Sequence, residues 1–310
     1  MPSNGNCCQN HRISLHQGRI LTRTPADDHP CTDLAGNGAH PAPARGPAAG
    51  SRMIPAMPPA NAHDAAPDGA VADRLVAAAR TLSEACESLR FAPPVAHVYN
   101  PLAYAWAPYE RYLRRFGAGR KRAVFLGMNP GPFGMMQTGI PFGEIAAVRD
   151  WIGIEDEVRA PALQHPKRPI EGFACRRSEV SGRRLWGWAA ARFGSAEAFF
   201  AECLVLNWCP LVFLEASGRN RTPEQLPAAE LAPLQAACDA HLREAIAALD
   251  PEWAIGIGGF ARKRLEAALS GLDSPPRIGQ VLHPSPASPA ANRGWAQAAD
   301  RALEELGVFA

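Results

Sequence analysis

Lysine is nearly absent from this 310-residue chain: Lys121, Lys167 and Lys263 are the only three, and arginine supplies the remaining cations. Chemistry that runs through an amine nucleophile therefore has few candidates. The 8 cysteines include no CxxC pair, and their spacing matches neither a zinc site nor an iron–sulfur cluster. No metal and no cofactor is expected. Cys203 and Cys209 lie in an apolar stretch and read as core thiols of a reducing compartment. No run reaches the roughly 18 apolar residues of a membrane span, and the N-terminal residues lack a signal-peptide core. The expectation is a chain without a membrane partner. GxSxG and Walker motifs are missing too, which argues against a serine hydrolase elbow and a P-loop. Formal net charge is only +2, so the placement of charge matters more than its sum.

Proline is abundant, at 30 residues, alongside a hydrophobic content of 47%. The two are unevenly placed. Residues 1–70, with stretches such as PAPARGPAAGSRMIPAMPPANAHDAAPDG, have no sustained periodicity. Such a segment buries too little apolar surface to offset its ordering entropy, so an unfolded tail is expected there. Residues 71–310 read as one folded domain.

Within that domain, apolar strands alternate with amphipathic helices. AVFLG, CLVLNWCPL, WAIGIGG and IGQVLHPSP read as strands; GRRLWGWAAARFG, LPAAELAPLQAACDAHLREAIAAL and ANRGWAQAADRALEELG read as helices. The pattern predicts an α/β fold with a parallel sheet between helical layers. Ligands of such sheets bind outside the carboxyl ends of the strands. The residues expected there are Asn129, Asn207, Gly258 with Gly259, and His283. Two Asn and a His form an uncharged polar set, and no carboxylate pair accompanies them, which argues against two-acid hydrolysis. A carboxamide can read a pyrimidine edge, a His can stabilise an oxyanion, and Phe133 or Phe142 can stack on a flat base. Each also has an ordinary reading: turn Asn, satisfied buried Asn, loop His, core Phe.

The order and spacing of GMNPGPFGM, QTGIPFGE, HPKRP, SEVSG, NWCPL, SGRN, TPEQLP, HPSP and NRGW resembles the single-strand-selective monofunctional uracil-DNA glycosylases. The resemblance runs from about residue 97 to residue 307. It implies the uracil-DNA glycosylase fold, a three-layer α/β/α sandwich around a central four-stranded parallel sheet. It implies excision of uracil, 5-hydroxymethyluracil and related oxidised pyrimidines from single- and double-stranded DNA, leaving an abasic site. Asn129 would position the attacking water and His283 would stabilise the departing base. Phe142 would stack on the base, Asn207 would bond its edge, Gly131 would leave room near C5, and Met128 and Met135 would line the pocket.

DNA contact requires cations. The densest basic run is RYLRRFGAGRKR, residues 111–122, which reads equally well as a solvated face. Arg219, Arg221 and Arg293 are better placed for phosphates, with Ser178, Ser181 and Ser217 as neutral contacts. The segment Pro284, Ser285, Pro286, Ala287 leads into the region that would enter the base stack. One departure stands there: the family often carries an Arg at the position of Ala287. Weaker duplex invasion is the expected consequence. The expected partner is DNA bearing uracil or oxidised pyrimidines, the expected state a monomer without an obligate protein partner. The compartment would be the bacterial cytoplasm, at the nucleoid, or the eukaryotic nucleus. The competing readings are a same-fold glycosylase for deaminated purines and an inactive DNA-binding relative.

Overall fold

A computed structural model describes residues 68–309 of the chain. Residues 1–67, nearly all of the expected tail, lie outside the described residues. Residues 68–70 were expected to belong to that tail and instead open the first helix. The order of elements is α1 (Asp68–Glu87), β1 (Val95–Tyr99), α2 (Pro101–Tyr104), α3 (Trp106–Phe116), β2 (Ala123–Gly127), α4 (Met135–Thr138), α5 (Val180–Phe193), α6 (Ala196–Glu202), β3 (Cys203–Asn207), β4 (Val212–Glu215), β5 (Asn220–Arg221), α7 (Ala228–Leu249), β6 (Trp253–Ile257), α8 (Gly259–Ala268), β7 (Arg277–Val281), α9 (Pro289–Asn292) and α10 (Trp295–Leu306).

The expected central sheet is present. Its four strands run in the order β3-β2-β6-β7, and every pair is parallel. All residues of β2, β3 and β6 are buried, which is why these strands read as continuous apolar runs. Alternate rows of the sheet face opposite layers. Phe125, Ile255 and Gly279 share one row. Phe125 meets Trp188 of α5 and Phe199 of α6, and a methyl on Gly279 would lie 2.6 Å from Leu306 of α10. The next row turns the other way: a methyl on Gly256 would lie 2.4 Å from the Arg262 backbone in α8. Helix α7 packs on α8 and α1 packs on α7. The result is the α/β/α sandwich.

Strand β3 is the sheet's edge, and α3 closes it. The Tyr112 hydroxyl donates to the Val205 carbonyl at 2.9 Å and accepts the Val205 N–H at 3.1 Å. One buried side chain thereby satisfies two edge groups, each of which would cost about 1–3 kcal/mol if left unpaired.

Three sequence expectations need correction. The stretch CLVLNWCPL is not one strand: β3 stops at Asn207. Trp208 and Cys209 still donate to the Gly127 and Met128 carbonyls, each at 2.9 Å. Pro210 has no N–H to continue the ladder, and the chain departs as β4. A second, antiparallel sheet, β1-β4-β5, was not expected at all. The final helix is two: Gly294, at φ 134°, separates α9 from α10 in a conformation that only glycine adopts readily.

Candidate active site

Sheet order reverses between β2 and β6, which lie side by side although β3 intervenes in sequence. A crevice is expected where connections leave such neighbours in opposite directions. A cleft of about 340 Å³ stands there. It is lined by Met128, Asn129, Gly131, Phe142, Ser181, Asn207, His283 and Ser285, all named from sequence, together with Pro130, Glu179, Asn220 and Thr222.

Asn129 lies just beyond β2. Its Nδ2 donates to the Leu211 carbonyl at 3.1 Å. That bond fixes the carboxamide and leaves Oδ1 as its acceptor. His283 lies just beyond β7. Its Nδ1 accepts the Ser285 N–H at 3.1 Å, so the proton of the neutral ring sits on Nε2. Burial lowers the His283 pKa below the usual imidazole value. At neutral pH the ring is therefore an uncharged donor rather than a cation.

Phe142 and Asn207 are packed together by an omission. Gly127 is paired with Asn207 across the ladder. A methyl on Gly127 would lie 2.3 Å from Asn207 Oδ1 and 2.6 Å from the Phe142 ring. The Phe142 backbone is held at φ 53°, a left-handed conformation that costs a non-glycine residue about 1–3 kcal/mol. Two donors to its carbonyl hold it: Trp186 Nε1 at 2.9 Å and the Glu144 N–H at 2.7 Å. The ring centroid sits 6.1 Å from that of His283. Asn207 Nδ2 donates to the Met135 sulfur at 3.2 Å, while its buried Oδ1 has no partner.

Several expectations change here. Met135 does not line the cleft; it is buried behind Asn207 and holds its amide. Phe133 does not line it either; the Arg177 and Arg168 guanidiniums flank its ring at 4.1 and 5.3 Å. The site is also not free of carboxyl groups. Glu179 enters it, and its Oε2 is sealed from solvent without a hydrogen bond, although the residue as a whole is only partly buried. Burial, then the neighbouring Glu144 carboxylate, pushes the Glu179 pKa up to about 7. The room beside Gly131 is taken by this group: a methyl there would lie 1.9 Å from Glu179 Oε1. Nothing in SEVSG alone signals this, because the enclosure is built by residues far along the chain.

The rim is basic. Arg219 and Arg293 are exposed and, among the described residues, have no ion-pair partner. Arg221 differs from expectation, since Glu215 and the Gln225 carbonyl hold it, each at 2.8 Å. Ser178 and Ser217 are exposed; Ser178 accepts from Arg183 at 3.3 Å and Ser217 from the Arg219 N–H at 3.2 Å. After His283, Pro284 is buried, Ser285 half-buried, and Pro286 and Ala287 exposed. Arg184, which the sequence did not single out, holds this loop. It donates to the Pro284 carbonyl at 3.0 Å, the Ser285 carbonyl at 3.3 Å and Asn292 Oδ1 at 2.8 Å. Among the described residues, no group of three or more His, Cys, Asp or Glu could hold a metal ion, and no helix is long and apolar enough to cross a membrane.

Comparisons with known proteins show the family. The model of the uracil DNA glycosylase superfamily matches residues 114–307. The single-strand selective monofunctional uracil-DNA glycosylase of Rattus norvegicus is 47% identical over 228 residues, which is 74% of this chain and 82% of that protein. Its counterpart in Mus musculus is 46% identical over the same shares. The crystal structure of wild-type SMUG2 from Pedobacter heparinus matches with a TM-score of 0.56 at 18% identity, covering 77% of this chain and 97% of that one. At that identity the likeness speaks to the fold alone.

Proposed function

The chain belongs to the uracil-DNA glycosylase superfamily, and from that premise we propose that it excises uracil, 5-hydroxymethyluracil and related oxidised pyrimidines from DNA, leaving an abasic site. The observation that carries this reading is a single one. A neutral His283 with its proton on Nε2 shares one cleft with the tethered Asn129 carboxamide, the Phe142 ring and the unsatisfied Asn207.

The chemistry follows from these groups. A duplex hides the glycosidic bond, so the nucleotide must first swing out of the stack. Phe142 supplies a face for the base and Asn207 both an acceptor and a donor for its edge. As the bond to the sugar breaks, negative charge collects on the pyrimidine. His283 Nε2–H donates to that charge, and once the bound base has displaced water from the cleft such a donor is worth about 10²–10³ in rate. A neutral imidazole can do this without surrendering its proton. The sugar becomes cation-like, so the attacking water needs orientation more than deprotonation, and Asn129 Oδ1 accepts from it. No lysine lines the cleft, and Lys121 is buried with its ammonium on the Phe200 carbonyl at 2.7 Å. Without an amine at the sugar, the backbone stays intact.

Arg219 and Arg293, with Ser178, Ser181 and Ser217, hold phosphates, and the 284–287 turn enters the stack. Ala287 offers little to fill it, so single strands are processed faster than matched duplexes. The protein acts as a monomer on DNA. A panel of labelled oligonucleotides tests the whole reading. Single- and double-stranded substrates would carry uracil, 5-hydroxymethyluracil, hypoxanthine or thymine, with and without alkali. The expected result is alkali-dependent cleavage at the first two lesions, stronger on single strands. Cleavage at hypoxanthine alone, or strand scission without alkali, would overturn it.

A further inference from the structure

We propose that Arg168 and Arg177, gathered on the Phe133 ring, form a phosphate subsite that grips the lesion-bearing DNA strand on one flank of the cleft. The inference rests on base excision at this cleft and adds a contact to the backbone beyond the excised nucleotide.

Segments far apart in sequence are fastened together to build this face. The Tyr99 hydroxyl donates to the Arg168 carbonyl at 2.9 Å and accepts the His165 N–H at 2.6 Å. His165 Nδ1 accepts the Lys167 N–H at 3.0 Å, and Nε2 donates to the Ala216 carbonyl at 3.0 Å. The buried Gln137 amide ties the same loop to the turn that carries Phe133. It donates to the Pro132 and Pro169 carbonyls at 3.2 and 3.0 Å and accepts the Glu171 N–H at 2.8 Å. Arg168 Nε donates to the Gly218 carbonyl at 3.0 Å, and Lys167 Nζ to that of Ser217 at 3.4 Å. These bonds fix an irregular loop and, with it, the places of its cations.

What the fastening gathers is positive charge without a counter-ion. The Arg177 and Arg168 guanidinium carbons lie 4.1 and 5.3 Å from the Phe133 ring centroid. The ring attracts each of them, but the two cations repel one another. Among the described residues, neither they nor Lys167 and Arg219 have an ion-pair partner. A phosphate at the two forks offsets that repulsion and can take paired N–H bonds. The face adjoins the cleft, whose lining includes Gly131, Glu179 and Asn220. Phe133 stands two residues beyond Gly131, Arg177 two residues before Glu179, and Arg219 next to Asn220. A strand whose base occupies the cleft must carry its next phosphates across that wall. An opposite strand would lie beyond the 284–287 turn that enters the stack. The subsite therefore serves the lesion strand and works without a duplex.

Single-stranded uracil oligonucleotides extended on only the 5′ or only the 3′ side of the lesion test this. The wild type should half-saturate on one of the two at about 10-fold lower concentration than on the other. Arg168→Ala combined with Arg177→Ala should abolish that preference, the loss lying in half-saturation rather than in the saturated rate. The same pair should reduce the slope of log affinity against log salt for an undamaged single strand by about 0.7 to 1.4, one or two phosphate contacts. Arg168 also braces the Gly218 carbonyl, so Arg177→Ala alone, with thermal unfolding as a control, should reduce the preference about three-fold without touching that bond. Arg176→Ala removes an exposed charge one residue away and should shift half-saturation by less than about two-fold. Equal loss on both flanks, a loss confined to duplexes, or an Arg176→Ala effect as large as that of Arg177→Ala would overturn the proposal. A wild type that cleaves no uracil would sink the proposed function itself, and the salt slope on undamaged strands would still read the subsite.

Discussion

The two ends of the central sheet carry similar arginines in opposite states. At the amino ends of the strands, the run 111–122 is neutralised by its own fold. Arg111 pairs with Asp156 at 2.7 Å, Arg120 with Asp250 at 3.1 Å and Arg122 with Glu202 at 2.8 Å. Arg114 pairs with Asp73 and Glu110, and Arg115 with Glu197. At the carboxyl ends, Arg219 and Arg293 are exposed, and neither has an ion-pair partner among the described residues. The denser run is therefore structural and the sparser one is free to meet a polyanion. Local density of charge is a poor guide to a binding face; what decides is whether a carboxylate is already in place.

Four perturbations can break or sharpen that contrast. The largest effect is expected at the cleft itself. Asn129→Ala should lower single-turnover uracil excision about 10²–10³-fold, the range for removing one oriented catalytic amide. DNA binding and thermal stability should persist, whereas Arg120→Ala should leave the rate unchanged. Loss of folding in Asn129→Ala would assign that residue to structure.

The next effect separates the half-buried His283 from the buried His241. His283 lines the cleft, but His241 lies within α7, and burial lowers its pKa to about 4. Its folded pKa lies below the unfolded value of about 6.5, so the unfolded chain binds the extra proton. The contribution is full above about pH 6.5 and is lost as pH falls toward 4, by up to about 3 kcal/mol. Denaturant titrations across that window should show the decline, and His241→Gln should flatten it. A wild-type profile that stays level from pH 7 to 4 would remove His241 from the account.

A smaller effect is expected from charge. Replacing both Arg219 and Arg293 with alanine should weaken DNA binding and reduce the slope of log affinity against log salt by about one per arginine. The Arg111→Ala and Arg120→Ala pair should not move that slope. Equal changes from the two pairs would erase the difference between the ends of the sheet.

Much of this arrangement was legible in the sequence, and the residues explain where legibility stopped. β2, β3 and β6 are buried on both faces, so their apolar runs stood out, and the residues following them were readable as strand ends. The antiparallel sheet was hidden because β1 alternates in burial only loosely, and its partner, β4, continues the apolar run of β3. Asn129, Phe142, Asn207 and His283 could be named as neighbours of one cleft because each lies in a local motif at or near a strand end. Glu179 was missed because its environment comes from Gly131 and Gly134 on another loop. Met135 was placed on the wrong side of Asn207 because a sequence does not say which flank of a side chain a neighbour occupies.

The most direct test of the account is His283→Ala, measured by single-turnover uracil excision beside binding to an oligonucleotide with an abasic-site analogue. Excision should fall about 10²–10³-fold with binding retained, because only the developing charge on the base needs the Nε2 donor. Undiminished excision in a folded His283→Ala protein would contradict it.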